Sequence, residues 1–258
     1  MAVNINTVYQ TVLLILNKEQ RGYITPQEFN DIATQVQLEI FEKYFEDLNQ
    51  QLRVPQTDTD YSDRTLNIDE KISIFKTSGV STYDNATAYP FWTLPNVDIF
   101  SQNVNLSRLG AVTYKPTNGE SVELQRLQRN DFYNIQKSKL TKSTERFPTY
   151  LLENNRLFIS PNTITDTSGS ISIDFVRTPL NPIWGFTTGG LGQYIYDFSP
   201  YDDTVIPNTG SRDFELDSTE QTNIIMRILK YSGVIINDPA IVQAATQEVA
   251  KKEINEKS

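Results

Sequence analysis

Between Val8 and Gln20 the apolar side chains fall at Val8, Tyr9, Val12, Leu13, Ile15 and Leu16, the spacing of one helical face. Gly22 follows as a left-handed stop. Thr25-Pro26-Gln27-Glu28 then has the chemistry of a helix start: a hydroxyl N-cap, Pro at the first helical position, and a Glu at the third that returns a hydrogen bond. Phe29, Ile32, Ala33, Val36, Ile40, Phe41, Tyr44, Phe45, Leu48 and Leu52 continue the three-and-four rhythm. This predicts a helix of about 27 residues, ~40 Å long, ending before Pro55.

Residues 53–64 are polar and read as a linker, and Ile68, Ile72 and Phe75 suit a short helix over 67–76. Between 80 and 180 the period falls to two, predicting strands at 109–115, 122–127, 149–153, 156–160 and 170–177. Asn118-Gly119 and Asn154-Asn155 have the chemistry of hairpin turns. A short helix over 131–140 lies between the strands. Residues 184–213 read as one long loop, polar yet carrying several Tyr and Asp. Two helices close the chain, one started by a Ser218/Gln221 box and one capped by Asp238 before Pro239. The expected fold is α+β in a single unit. In it, 1–76 and 214–258 form a helical bundle, 77–184 an inserted antiparallel β-rich lobe, and 185–213 a long docking loop.

Composition narrows the chemistry. The 258 residues contain no Cys and no His, which removes thiol and imidazole catalysis, disulfides and the usual zinc ligands. A net charge of −9 gives no global basic footprint for gripping nucleic acid. The N-terminus lacks a basic n-region, and the longest apolar run near it, Val12 to Leu16, is far short of the ~20 residues of a membrane span. Gly189-Gly190-Leu191-Gly192 lacks the lysine of a phosphate-binding loop, and Asp197 with Asp202-Asp203 lacks the spacing of a calcium loop. No catalytic, cofactor or metal site is therefore assigned.

Two aromatic groups point to contacts instead. Phe41, Tyr44 and Phe45 form a stripe that is rich for a lone bundle, so part of it is expected between subunits. Tyr194, Tyr196, Phe198 and Tyr201 are too many aromatic anchors for a loop that merely stays solvated. The loop is expected to be extended and to be ordered by contact with a neighbour.

One succession is specific: Pro148-x-Tyr150, Leu157-x-Ile159-x-Pro161, Ile171-x-Ile173-x-Phe175-x-Arg177-x-Pro179 and Pro182-x-Trp184. It resembles the β-domain of the ring, or head-to-tail connector (adaptor), proteins of short-tailed phages. The stretch from Thr7 to Asn30, with Glu70-Lys71-Ile72 and Ile228-Leu229-Lys230-Tyr231-x-Gly233, resembles those of crAss-like phages and related podoviruses. The resemblance spans nearly the whole chain except 185–213. It implies a structural virion protein of the neck or tail, made in the host cytoplasm. Identical subunits would form a cyclic ring, a dodecamer, between the portal protein and an adjacent tail ring, with phage DNA passing through unbound and no membrane involved. The alternatives are a virion fibre or receptor-binding protein, and a carboxylate-dependent glycan hydrolase, which would need two acids converging in a cleft.

Overall fold

The computed structural model describes residues 2–18, 23–53, 64–85, 89–95, 97–99, 102–104, 106–202, 204–205, 208–235, 243, 246–248 and 250–251. Gly22, most of the 53–64 linker and the Asp238 cap of the final helix lie outside them. The chain is a mixed α+β protein; among the described residues its strand pairs are antiparallel with one exception. In order the elements are β1 (Ala2–Val3), α1 (Ile5–Lys18), α2 (Pro26–Gln51), α3 (Arg64–Ser73), β2 (Lys76–Val80), β3 (Thr82–Asp84), β4 (Phe91–Thr93), β5 (Val97–Ile99), β6 (Gln102–Val104) and β7 (Leu106–Pro116). Then come β8 (Val122–Glu123), β9 (Gln125–Arg126), α4 (Arg129–Lys137), β10 (Thr149–Glu153), β11 (Arg156–Ser160), β12 (Gly169–Arg177), β13 (Phe186–Thr188), β14 (Tyr194–Tyr196), β15 (Phe214–Asp217) and α5 (Gln221–Ile235).

The chain divides into two units, Met1–Ile74 with Pro179–Ser258, and Phe75–Thr178. In the first, α2 packs on α3 and α5, and α1 packs on α5. The α2 start is a complete capping box: Thr25 accepts from the Glu28 N–H, and the Glu28 carboxylate accepts from the Thr25 N–H at 2.9 Å. Hydrogen bonds from the Thr25 backbone and side chain hold the Glu28 carboxyl below its ordinary range. At the other end of the unit, the α5 region starts one residue earlier than the sequence suggests. Asp217, not Ser218, is the cap, accepting from the Thr219 N–H at 2.8 Å at the head of a short 3₁₀ turn that runs into α5. A carboxylate outcompetes the adjacent hydroxyl for this backbone donor because the bond is charge-assisted.

Three residues close this unit around a buried amide. Gln37, 1% exposed on α2, donates to the Leu180 carbonyl at 2.7 Å and accepts from the Glu215 N–H at 3.0 Å. The Glu215 carboxylate in turn accepts from the Leu180 N–H at 2.7 Å, completing a cycle. The cycle fastens the 179–184 stretch to the helices, so the boundary expected at 184 falls at 178.

The second unit is built from two sheets, β3-β4-β11-β10-β9 and β2-β12-β7-β8, plus the β5-β6 pair. Trp92, Tyr150, Leu157 and Ile159 from the first sheet share one core with Val112, Tyr114, Ile171, Ile173 and Phe175 from the second. The turn residues act as their chemistry requires. Asn154 and Asn155 both take positive φ, 50° and 57°, in the two-residue β10–β11 turn, a conformation Asn tolerates. The 122–127 strand breaks into β8 and β9 at Leu124, which turns inward. β2, β3 and β4 are Ser/Thr-rich or short and do not stand out as alternating runs.

Candidate functional site

The segment 185–213 is not an extended loop. β13 and β14 close into a hairpin with Phe186 opposite Tyr196 and Thr188 opposite Tyr194. The hairpin end is formed by Gly189, whose N–H bonds the Gln193 carbonyl at 2.8 Å, and by Gly192 at φ +79°. Opposed residues share one face, so Phe186, Tyr194 and Tyr196 lie together. That face stacks on Trp184, with ring centroids 6.0 Å from Phe186 and 5.4 Å from Tyr196. Trp184 continues the stack to Tyr9 of α1 at 4.4 Å, and Tyr9 to Phe29 of α2 at 4.7 Å.

Two asparagines clamp Trp184. Its backbone N–H donates to the Asn30 side chain at 2.8 Å, and its indole N–H donates to Asn6 at 3.1 Å. The hairpin base is equally fixed. Gly185 donates to Ser211 Oγ at 2.9 Å and accepts from the Asp197 N–H at 3.0 Å, while Ser211 Oγ donates to the Asp197 carbonyl at 2.6 Å. A Cβ on Gly185 would stand 2.1 Å from the Thr209 carbonyl oxygen, so only glycine fits.

The acids of the segment serve as turn acceptors. Asp197 accepts from the Ser199 hydroxyl at 2.6 Å, the Thr209 hydroxyl at 2.5 Å and the Ser199 N–H at 2.9 Å, and these bonds lower its pKa. Asp202 accepts from the Thr204 N–H at 2.9 Å and hydroxyl at 2.7 Å, with the same effect. Asp203 lies outside the described residues. Among the described residues no group of three or more acids is placed to hold a metal ion.

Between α1 and the hairpin lies an open cleft of about 610 Å3, walled by Tyr9, Leu13, Tyr23, Trp184, Tyr194 and Tyr196 with amides at its margin. No charged side chain lines it. Burial, and then the neighbouring Tyr23 hydroxyl, push the Tyr9 phenol far above its ordinary range, so it stays a neutral donor to the Ile24 carbonyl at 3.2 Å. Around the cleft the hairpin leaves apolar surface outside: Leu191 is 95% and Phe198 84% exposed, with Tyr194 and Ile195 also exposed. Tyr196 and Tyr201 are half-buried, and Arg212 sits 4.6 Å over the Tyr201 ring.

The aromatic stripe of α2 has a different fate. Phe41, Tyr44 and Phe45 are 1%, 5% and 9% exposed within the single chain. Phe41 and Phe45 meet edge to face at 5.2 Å, and Lys71 of α3 reaches over the Tyr44 ring on its way to Glu220, 2.6 Å from its ammonium. The stripe is filled by the chain's own α3 and α5 neighbours, so these three residues offer a second subunit almost no surface. Of the seven expected interface residues, the four in 185–213 lie on the hairpin and its following turns.

The sequence gives Trp184 and Asn30 places in motifs but no role, and offers none for Asn6, Gln37 or Gly185. Gln37 alone carried a signal: it occupies the apolar face of α2 beside Val36, Ala33 and Ile40. Comparison with protein-family models and with curated proteins finds no match.

Proposed function

We propose that this chain is a structural subunit of a virion ring in the neck or tail of a short-tailed phage, joining the portal protein to the next tail ring. The finer architecture belongs to the same reading: α1, α2, α3 and α5 act as one helical bundle, and the β-rich unit is its inserted lobe. The observation that carries the proposal is a rigid hairpin, clamped at Trp184 and Gly185, that holds Leu191, Tyr194, Ile195 and Phe198 out from the chain. Apolar side chains held outward on a hydrogen-bonded support are pre-organised for protein contact. The resemblance of Phe147 to Trp184 to the ring-protein β-domain says what kind of contact.

A structural role also fits the chemistry. The uncharged α1–hairpin cleft has no carboxylate, and a cleft of about 490 Å3 on the β-rich unit has Asp174 as its one lining acid, so neither has the acid pair of a glycan hydrolase. No described helix is long and apolar enough to cross a membrane. Each copy adds nine negative charges, so a ring repels phosphate and lets DNA slide.

Heterologous contacts make a ring only when the rotation between neighbours closes. Class averages of the concentrated, purified full chain test this. The reading predicts closed many-fold rings and no salt-sensitive binding of duplex DNA. Trimers would favour the fibre alternative, and a monomer at all concentrations would overturn self-assembly.

A further inference from the structure

The β-rich unit carries an exposed, hydrogen-bonded projection between α4 and β10. Residues 138–147 connect α4 to β10 and hold out two large apolar side chains, Leu140, 94% exposed, and Phe147, 71% exposed. Such exposure on a mobile tail would mean little, but this segment is fixed. Lys142 N–H bonds the Ser138 carbonyl at 3.0 Å, and Thr144 and Phe147 pair across a tight turn, with the Phe147 N–H 3.0 Å from the Thr144 carbonyl. The buried Ser143 and Thr149 hydroxyls bond each other at 2.7 Å, and the Glu145 carboxylate accepts from Thr163 at 2.7 Å. Ordering the backbone that carries these side chains therefore costs little on binding.

The projection is also the most basic stretch of the chain. Residues 137–147 contain Lys137, Lys139, Lys142 and Arg146 against Glu145, a formal +3 in a protein of −9. The segment 185–213 contains Asp197, Asp202, Asp203 and Asp213 against Arg212, a formal −3. Hydrogen bonds from Ser199 and Thr209 to Asp197, and from Thr204 to Asp202, lower the pKa of both carboxyls. Within that acidic segment's surface the α1–hairpin cleft offers uncharged aromatic walls and about 610 Å3, room for one of the apolar knobs. Knob and cleft match in polarity, and the two segments that carry them are opposite in formal charge.

We infer that the 138–147 projection of one copy docks on the α1–hairpin cleft of a second copy, with Leu140 or Phe147 entering between Tyr23 and Tyr194 and the lysines facing the aspartates. Two different patches meet, so the contact is head-to-tail, the kind that repeats around a ring. The inference rests on the ring reading and names the surfaces that would build it.

The absence of native cysteine gives a clean test. Full-length Leu140→Cys and Tyr194→Cys are mixed and treated with a short bismaleimide, with Gln193→Cys as a second cleft position should Tyr194→Cys fold poorly and Asn118→Cys as the background control. The mixture should give a cross-linked dimer well above either variant alone and above the control. Lys139→Glu/Lys142→Glu, which takes residues 137–147 from +3 to −1, should weaken association by more than about tenfold at low salt. The difference should shrink above ~0.15 M salt, where the Debye length is ~8 Å. Cross-linking at background level in samples whose micrographs contain closed rings overturns the docking and leaves the ring. Background cross-linking with no ring overturns both. Cross-linking in open filaments supports the docking and overturns the ring.

Discussion

Gln37→Leu isolates the buried cycle that ties the 179–184 stretch and β15 to α2. Leucine fills nearly the same volume, so packing changes little, yet it removes both partners at once. The Leu180 carbonyl loses a donor at 2.7 Å, and the Glu215 N–H loses an acceptor at 3.0 Å, at a site with 1% exposure. A buried polar group left unsatisfied costs about 1–3 kcal/mol, and two such groups minus the gain from a buried Leu give about 3 kcal/mol. For a domain of this size that lowers Tm by about 6–12 °C. The assay is thermal unfolding followed by far-UV circular dichroism and by tryptophan fluorescence, in a Trp92→Phe background so that Trp184 alone reports. Gln37→Glu provides an independent signature. The introduced carboxyl can still accept from Glu215, but when ionised it sets an oxygen against the Leu180 carbonyl. Burial raises its folded pKa above the unfolded value of ~4.3, so its protonated form is favoured by folding. The variant should therefore approach wild-type stability below about pH 4 and lose it as pH rises through the raised pKa. A Gln37→Leu loss below about 1 kcal/mol, or a Gln37→Glu penalty independent of pH, would refute the buried cycle.

Trp184→Ala should cost about 3–5 kcal/mol, because it removes the ring that joins Tyr9 to the hairpin and orphans Asn6; Trp184→Phe, which keeps a ring, should cost far less by chemical denaturation. Gly185→Ala should expose the hairpin to limited proteolysis between 186 and 198, since its Cβ would stand 2.1–2.2 Å from two carbonyl oxygens; an unchanged digestion pattern would contradict the tight base. The Thr219 N–H holds the Asp217 carboxyl below its ordinary pKa, so its contribution is present above pH ~3.9 and is lost as pH falls through the lower folded value. Asp217→Asn should flatten the acid side of the stability–pH curve while keeping a cap.

The helices were legible because their signals are local. Thr25, Pro26 and Glu28 specify the α2 start through contacts within four residues, and the apolar rhythm carries it to Gln51. β10, β11 and their Asn154-Asn155 turn were legible for the same reason. Long-range closure was not. Phe41, Tyr44 and Phe45 look like surplus aromatic surface until α3, the next helix, and α5, far along the chain, are known to pack on α2. The hairpin at 186–196 was hidden because its strands are three residues each and its stability comes from Trp184 and α1 rather than from alternation. Gly185 has no local signature at all. Its requirement is set by carbonyls at 209 and 210, which no spacing rule connects to it.

A reconstruction of the phage particle at its portal vertex tests the assignment most directly, with this chain located by a tag at its N-terminus. A closed ring of this chain between portal and tail, with hairpin 186–196 buried against a neighbouring subunit, is the predicted result. Isolated copies, trimers on fibres, or a ring in which Leu191, Tyr194 and Phe198 all face solvent would contradict it.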